Sequence, residues 1–167
     1  MSIKRLCIIA MMLAIAIVVS IMESFIPIFI PGVKLGLANV IILIMLVEFS
    51  IKEALLVDLL RIILVAILRA TLLQPTFFMS LSGGILSFIV MALFTRFKFF
   101  SIIGVSILGA ISHSVGQIIV AIILLSTRAV IFYLPFIAIL SVLTGILSGI
   151  ITNIYLKRSI TKKILNE

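Results

Sequence analysis

The chain has 167 residues, of which 65% are apolar and 11% charged, and its mean hydropathy is +1.56. So little charge cannot cover a water-soluble surface, which excludes an ordinary soluble enzyme or binding domain. The net charge of +8 does not point to nucleic acid either, because the basic residues fall between apolar runs, as in cytoplasmic loops and beside anionic headgroups, and not on one face.

At about 20 residues per bilayer span, the length leaves room for about six helices. Apolar segments run over 6–22, 35–49, 53–70, 77–95, 102–125 and 129–156, predicting a single all-α transmembrane domain. The first follows Lys4 and Arg5 as a signal peptide would. No small-residue cleavage site stands out before Glu23, however, and five more apolar segments follow, so it is read as a retained helix. The lone Cys7 has no disulfide partner within the chain and no second cysteine for a metal-ligand spacing; it reads as a small apolar helix residue. Pro27 and Pro31 break the stretch from Glu23 to Lys34, predicting a structured external cap or a bent connector. The second segment is short for a span and is expected to be tilted, broken or to begin earlier. Gly83 and Gly84 weaken the fourth segment near its outer end and suit close helix packing or a kink. The basic tail after Leu156 suits a contact that holds the last helix at the membrane surface.

An even number of spans puts both termini on one side, and basic loops stay cytoplasmic. Lys4, Arg5, Lys52, Arg96, Lys98, Lys157, Arg158, Lys162 and Lys163 gather on one side, nine in all, against Lys34, Arg69 and Arg128 on the other. Both termini are therefore predicted to be cytoplasmic.

Ionisable residues inside a span cost about 2.5–3.5 kcal/mol on insertion scales, so each needs a partner, a cavity or a function. Asp58 and Arg61 are three apart on the third segment, close enough for an ion pair that would neutralise the site. Arg69, eleven positions beyond Asp58, returns to nearly the same helical face, giving a polar stripe that leads outward. With Lys34 and Arg128 it makes a cationic outer end, fit to attract an anionic or polar ligand or to anchor phosphate headgroups. On the fifth segment, His113 and Gln117 lie one turn apart, and Gly109 and Gly116 admit a neighbouring helix. Ser112, His113 and Gln117 either line a ligand cavity or supply interhelical hydrogen bonds. Ser112 and His113 are adjacent and point apart, which argues against nucleophilic catalysis.

Several runs then resemble a bacterial membrane family labelled heptaprenyl diphosphate synthase component I, or Gx transporter family. They are Glu23-Ser-Phe-Ile-Pro, Pro31-Gly-Val-Lys-Leu-Gly-Leu-Ala-Asn39, Lys52-Glu-Ala-Leu-Leu, Leu81-Ser-Gly-Gly-Ile, and Gly104-Val-Ser-Ile-Leu-Gly-Ala-Ile-Ser-His113 with Gly116-Gln117. That family is in turn similar to the substrate-binding S components of energy-coupling-factor (ECF) transporters, small six-helix membrane proteins of the bacterial plasma membrane. In those, small residues on the first helix meet the transmembrane coupling subunit; here Ala10 and Ala14 have the spacing. The synthase label meets a chemical objection. Prenyl diphosphate condensation needs Mg²⁺ held by clustered carboxylates, and this chain has a single aspartate, Asp58.

The resemblance implies a non-enzymatic, substrate-binding subunit without metal or cofactor. Its ligand would be an isoprenoid or quinone precursor, a flavin or a vitamin, held by residues among Lys34, Asn39, Asp58, Arg61, Arg69, His113 and Gln117. No P-loop run occurs, so ATP dependence would require ATPases alongside the coupling subunit. The alternative is a membrane partner of an isoprenoid or quinone prenyltransferase, or of an extracellular electron-transfer system, that transports nothing.

Overall fold

A computed structural model describes residues 3–26, 34–97, 99–125 and 128–158. Six helices follow in order: α1 (Ile3–Glu23), α2 (Asn39–Glu48), α3 (Ile51–Leu68), α4 (Pro75–Phe94), α5 (Ile102–Leu125) and, after a 3-10 stretch at Arg128–Tyr133, α6 (Leu134–Arg158). No strand occurs among the described residues. Four of the helices, α1, α4, α5 and α6, are long and apolar enough to cross a bilayer, and large apolar side chains cover their outward faces. The protein is a multi-pass membrane protein. The expected cap at Pro27 and Pro31, together with Lys98, Lys162 and Lys163, lies outside the described residues.

Local chemistry explains where the helices begin. Ser50 and Glu53 form a reciprocal capping box that starts α3. Pro75 occupies the first turn of α4, where its missing N–H costs nothing. Side-chain contacts fix the directions: Arg5 meets Glu53 and Ser20 meets Arg61, so α1 and α3 run parallel. Ser82 and Ser87 meet the Gly116 and Gly109 carbonyls, so α4 and α5 run antiparallel. Arg5, Lys52, Arg96, Lys157 and Arg158 consequently share one end of the bundle, called here the basic end.

Two expectations need correction. The second helix begins at Asn39 and not near 35, leaving ten helical residues, about 15 Å, for a membrane core of about 30 Å. Ahead of it, residues 34–38 form an irregular strap. Lys34 is also not at the outer surface. Its backbone is bonded to Gln117, eight residues before the end of α5, and Leu35 is bonded to Thr144, ten residues into α6. At helical rise those positions are about 12–15 Å inside the helix ends.

The short α2 is the centre of the molecule. It packs against every other helix, and Ile42, Leu43 and Met45 are fully enclosed. Small residues seal the α4–α5–α6 side. A methyl group on Gly116 would stand 2.8 Å from the Ser82 carbonyl oxygen, and one on Gly145 would stand 2.7 Å from the Ile107 Cα. Backbones in such contact leave no room for a larger residue.

Candidate functional site

Polar side chains converge between the parallel pair α1–α3 and the α4–α5 seam. Arg61, ten residues into α3 and buried, pairs with Asp58 one turn earlier at 2.5 Å and donates to Ser20 on α1 at 3.2 Å. Gly84 lets α4 approach this pair: a methyl group there would lie 2.6 Å from Ile62 and 3.5 Å from the Asp58 carboxylate. From α5, His113 sits against Gly36 of the strap and Gly83 of α4. Ser20, Glu23, Lys34, Arg61, Ser80 and His113 line a cavity with room for about one water. Arg61 Nε and both ring nitrogens of His113, all buried, make no close hydrogen bond among the described residues, and the His113 ring has the Gly83 carbonyl as its nearby acceptor. Such atoms are costly to leave unmatched, at about 1–3 kcal/mol per group.

The strap beside this cavity is tied at its end to the first turn of α2, whose Asn39, Val40 and Ile41 N–H groups donate to the Gly36, Leu37 and Ala38 carbonyls, and elsewhere by side chains. Gln117 accepts from the Lys34 N–H at 2.8 Å and donates to the Lys34 carbonyl at 3.2 Å. Thr144 donates to the Leu35 carbonyl at 3.3 Å. One carboxylate oxygen of Glu23 accepts from the N–H groups of both Gly36 and Leu37, the latter at 3.2 Å. Irregular backbone survives at membrane depth only where protein satisfies it, and these three side chains do so together with the first N–H groups of α2. Gly36 has φ of +80° and faces the His113 ring, a conformation and a clearance that only glycine combines.

The seven candidates separate into five placements. Lys34, Arg61 and His113 line the cavity. Asp58 stands behind Arg61, and Gln117 holds the strap. Asn39 donates to Ser87 at 2.9 Å, and Ser87 donates to the Gly109 carbonyl, so Asn39 links α2 to α4 and α5. Arg69 caps the end of α3, exposed, with its guanidinium 6.0 Å from the centre of the Phe25 ring; the helical wheel aligned it with Asp58, but it lies beyond the helix. Ser112 folds back on the Leu108 and Gly109 carbonyls.

Ser20, Glu23 and Ser80 were missed. Glu23 carried a readable signal: a carboxylate at the C-terminal end of a helix opposes the macrodipole and has to find donors elsewhere. Ser20 is one turn before it on the same face. Nothing in the spacing distinguishes Ser80 from other serines of α4.

Residues 12–155, the whole of this arrangement, match the family model described as heptaprenyl diphosphate synthase component I. The chain belongs to that family. No curated protein and no solved structure matches it. The component I match covers both the strap and the helices that hold it, and it leaves the likeness to ECF S components as a proposal.

Proposed function

We propose that this component I protein is the substrate-binding membrane subunit of a small-molecule transporter, of the S-component type, in a bacterial plasma membrane with its basic end cytoplasmic. The observation that carries this reading is the small cavity at membrane depth on which Arg61 of α3 and His113 of α5 converge, with Arg61 Nε unpartnered among the described residues. Membrane proteins bury ionisable groups at a cost, and a ligand that matches them recovers it. The cavity now admits about one water, so a ligand binds only after the surroundings move apart. With no P-loop in the chain, energy for transport would come from ATPases acting through a coupling subunit, with Ala10 and Ala14, both exposed on α1, as the docking stripe.

The test is mass spectrometry of small molecules retained by gently purified protein. A compound enriched in the native protein and lost in Arg61→Met and His113→Leu, each still monodisperse, supports the reading. Retention of the same compound by both variants overturns this site. Arg69→Gln, outside the cavity, should change retention least.

The family's name favours a second reading, a non-catalytic partner of a prenyl diphosphate synthase. A chain with one aspartate cannot by itself build the Mg²⁺-binding carboxylate cluster of such an enzyme. Copurification of a prenyltransferase, in place of ATPase and coupling subunits, would establish it.

A further inference from the structure

We infer that the ligand of this site is a small molecule without net charge, uncharged or zwitterionic, and that it bridges Lys34 and Glu23. The inference rests on the proposed binding role and supplies the ligand class that this role leaves open. Four ionisable side chains of two signs meet at membrane depth. Arg61 is matched by Asp58 in a direct ion pair. Lys34 and Glu23 attract one another from the cavity wall, yet they form no ion pair among the described residues. The charges of these four therefore sum to zero, and a proton passed from Lys34 to Glu23 would leave the sum unchanged. His113 is enclosed and faces both cations. A charged ring there would be a third positive group without a carboxylate of its own, so it counts as neutral. Arg69 reaches Lys34 electrostatically, but it is exposed at the end of α3, where water and salt screen it.

This balance decides what can fill the cavity. A buried charge is tolerated when it is paired and is costly when it is not. An anion such as a prenyl diphosphate, or a cation such as a quaternary ammonium, would leave an unmatched charge at membrane depth, whereas a neutral molecule keeps the sum at zero. The groups still open in the wall determine how such a molecule is held. Arg61 Nε is a donor without a partner among the described residues, and Lys34 offers its ammonium. One carboxylate oxygen of Glu23 holds Gly36 and Leu37, which leaves the other for a donor. Ile62 and Val65 supply an apolar face. A ligand that presents an acceptor to Lys34 and Arg61, a donor to Glu23 and one apolar side satisfies all of them.

Chloride is the probe of the balance, because the cavity admits about one water and chloride is of similar size. Thermal unfolding of detergent-purified, full-length protein is measured in sodium chloride and in sodium gluconate at equal ionic strength. The parent should melt alike in both. Glu23→Gln keeps an acceptor oxygen for the strap but leaves the site with one positive charge in excess. Its transition should rise by several degrees as chloride replaces gluconate, as expected of an ion that binds the folded state alone. Adding Lys34→Gln restores the balance and should abolish that rise. If Glu23→Gln does not yield monodisperse protein, Lys34→Gln alone carries the test with the opposite sign, stabilised by ammonium relative to N-methylglucamine. Chloride stabilisation of the parent would overturn the inference, as would a Glu23→Gln variant indifferent to chloride. In the retention experiment, the compound lost from His113→Leu should be net neutral at neutral pH. A net-charged compound would overturn the ligand class and leave the binding reading standing. Retention unaffected by the cavity variants would remove the binding reading, and this ligand with it, even where the chloride results hold.

Discussion

The two sides of this bundle are built on opposite rules. Along α4, α5 and α6, glycines bring backbones into direct contact and serines bond within the seam, Ser114 with Ser141 at 2.5 Å and Ser82 and Ser87 with the Gly116 and Gly109 carbonyls. Along α1, α2 and α3, one helix is half the length of a span, a five-residue irregular run is bonded in part by distant side chains, and Glu23, Asp58 and Arg61 are buried. Close backbone packing has no compliant part, whereas a strap bonded in part by side chains has discrete bonds that can be exchanged. The cavity lies on the boundary between the two, where α5 meets the strap and α3.

The largest expected effect breaks the charged side. Asp58→Leu strands Arg61 without its carboxylate and should cost about 3–5 kcal/mol, read as lost monodispersity or a lower thermal transition in detergent. The double variant Asp58→Leu with Arg61→Met should recover most of that loss, since no charge is left uncompensated. If the double variant were as unstable as the single, the pair would not be acting as a unit.

A second change breaks the packed side. Gly145→Leu forces a side chain against the Ile107 backbone and should cost about 1–3 kcal/mol, read as a lower thermal transition in detergent. An unchanged transition would show slack in the α5–α6 contact, and the contrast between the two sides would fail.

The smallest effect belongs to the basic end. Arg5 makes a two-pronged ion pair with Glu53 at 2.9 and 2.7 Å and stands over the Phe49 ring. Because Arg5 is 39% exposed, Glu53→Gln, which keeps a capping side chain, should cost under about 1 kcal/mol and lose that effect at high salt. Thermal unfolding at two salt concentrations measures it. A salt-independent loss of several degrees would make this pair a structural anchor of the α1–α3 side.

What the sequence made legible follows from the range of each signal. Six helices could be read because apolar runs and punctuation are local, and the Asp58–Arg61 pair because one helical turn fixes its geometry. The start of α2 could not. Leu35, Gly36 and Leu37 are as apolar as the helix after them, and the non-helical path depends on Glu23, Gln117 and Thr144, at 13 to 109 positions away, which no local pattern shows. Lys34 was placed outside for the same reason, since charge next to proline reads as a loop. Arg69 shows the converse error: a helical wheel extends a stripe past the point where the helix stops.

The shortness of α2 also bears on how the chain enters a membrane during synthesis. At about 15 Å it is too short to be recognised and held as a span by itself, and α3 carries Asp58 and Arg61, which oppose insertion one at a time. The turn at Ser50 joins the two directly, and Glu53 at that turn is where Arg5 of α1 docks. Helices α2 and α3 therefore have to be taken up together as a hairpin, against an α1 that is already in place, and a ribosome-stalled intermediate ending within α3 should remain extractable until that hairpin is complete.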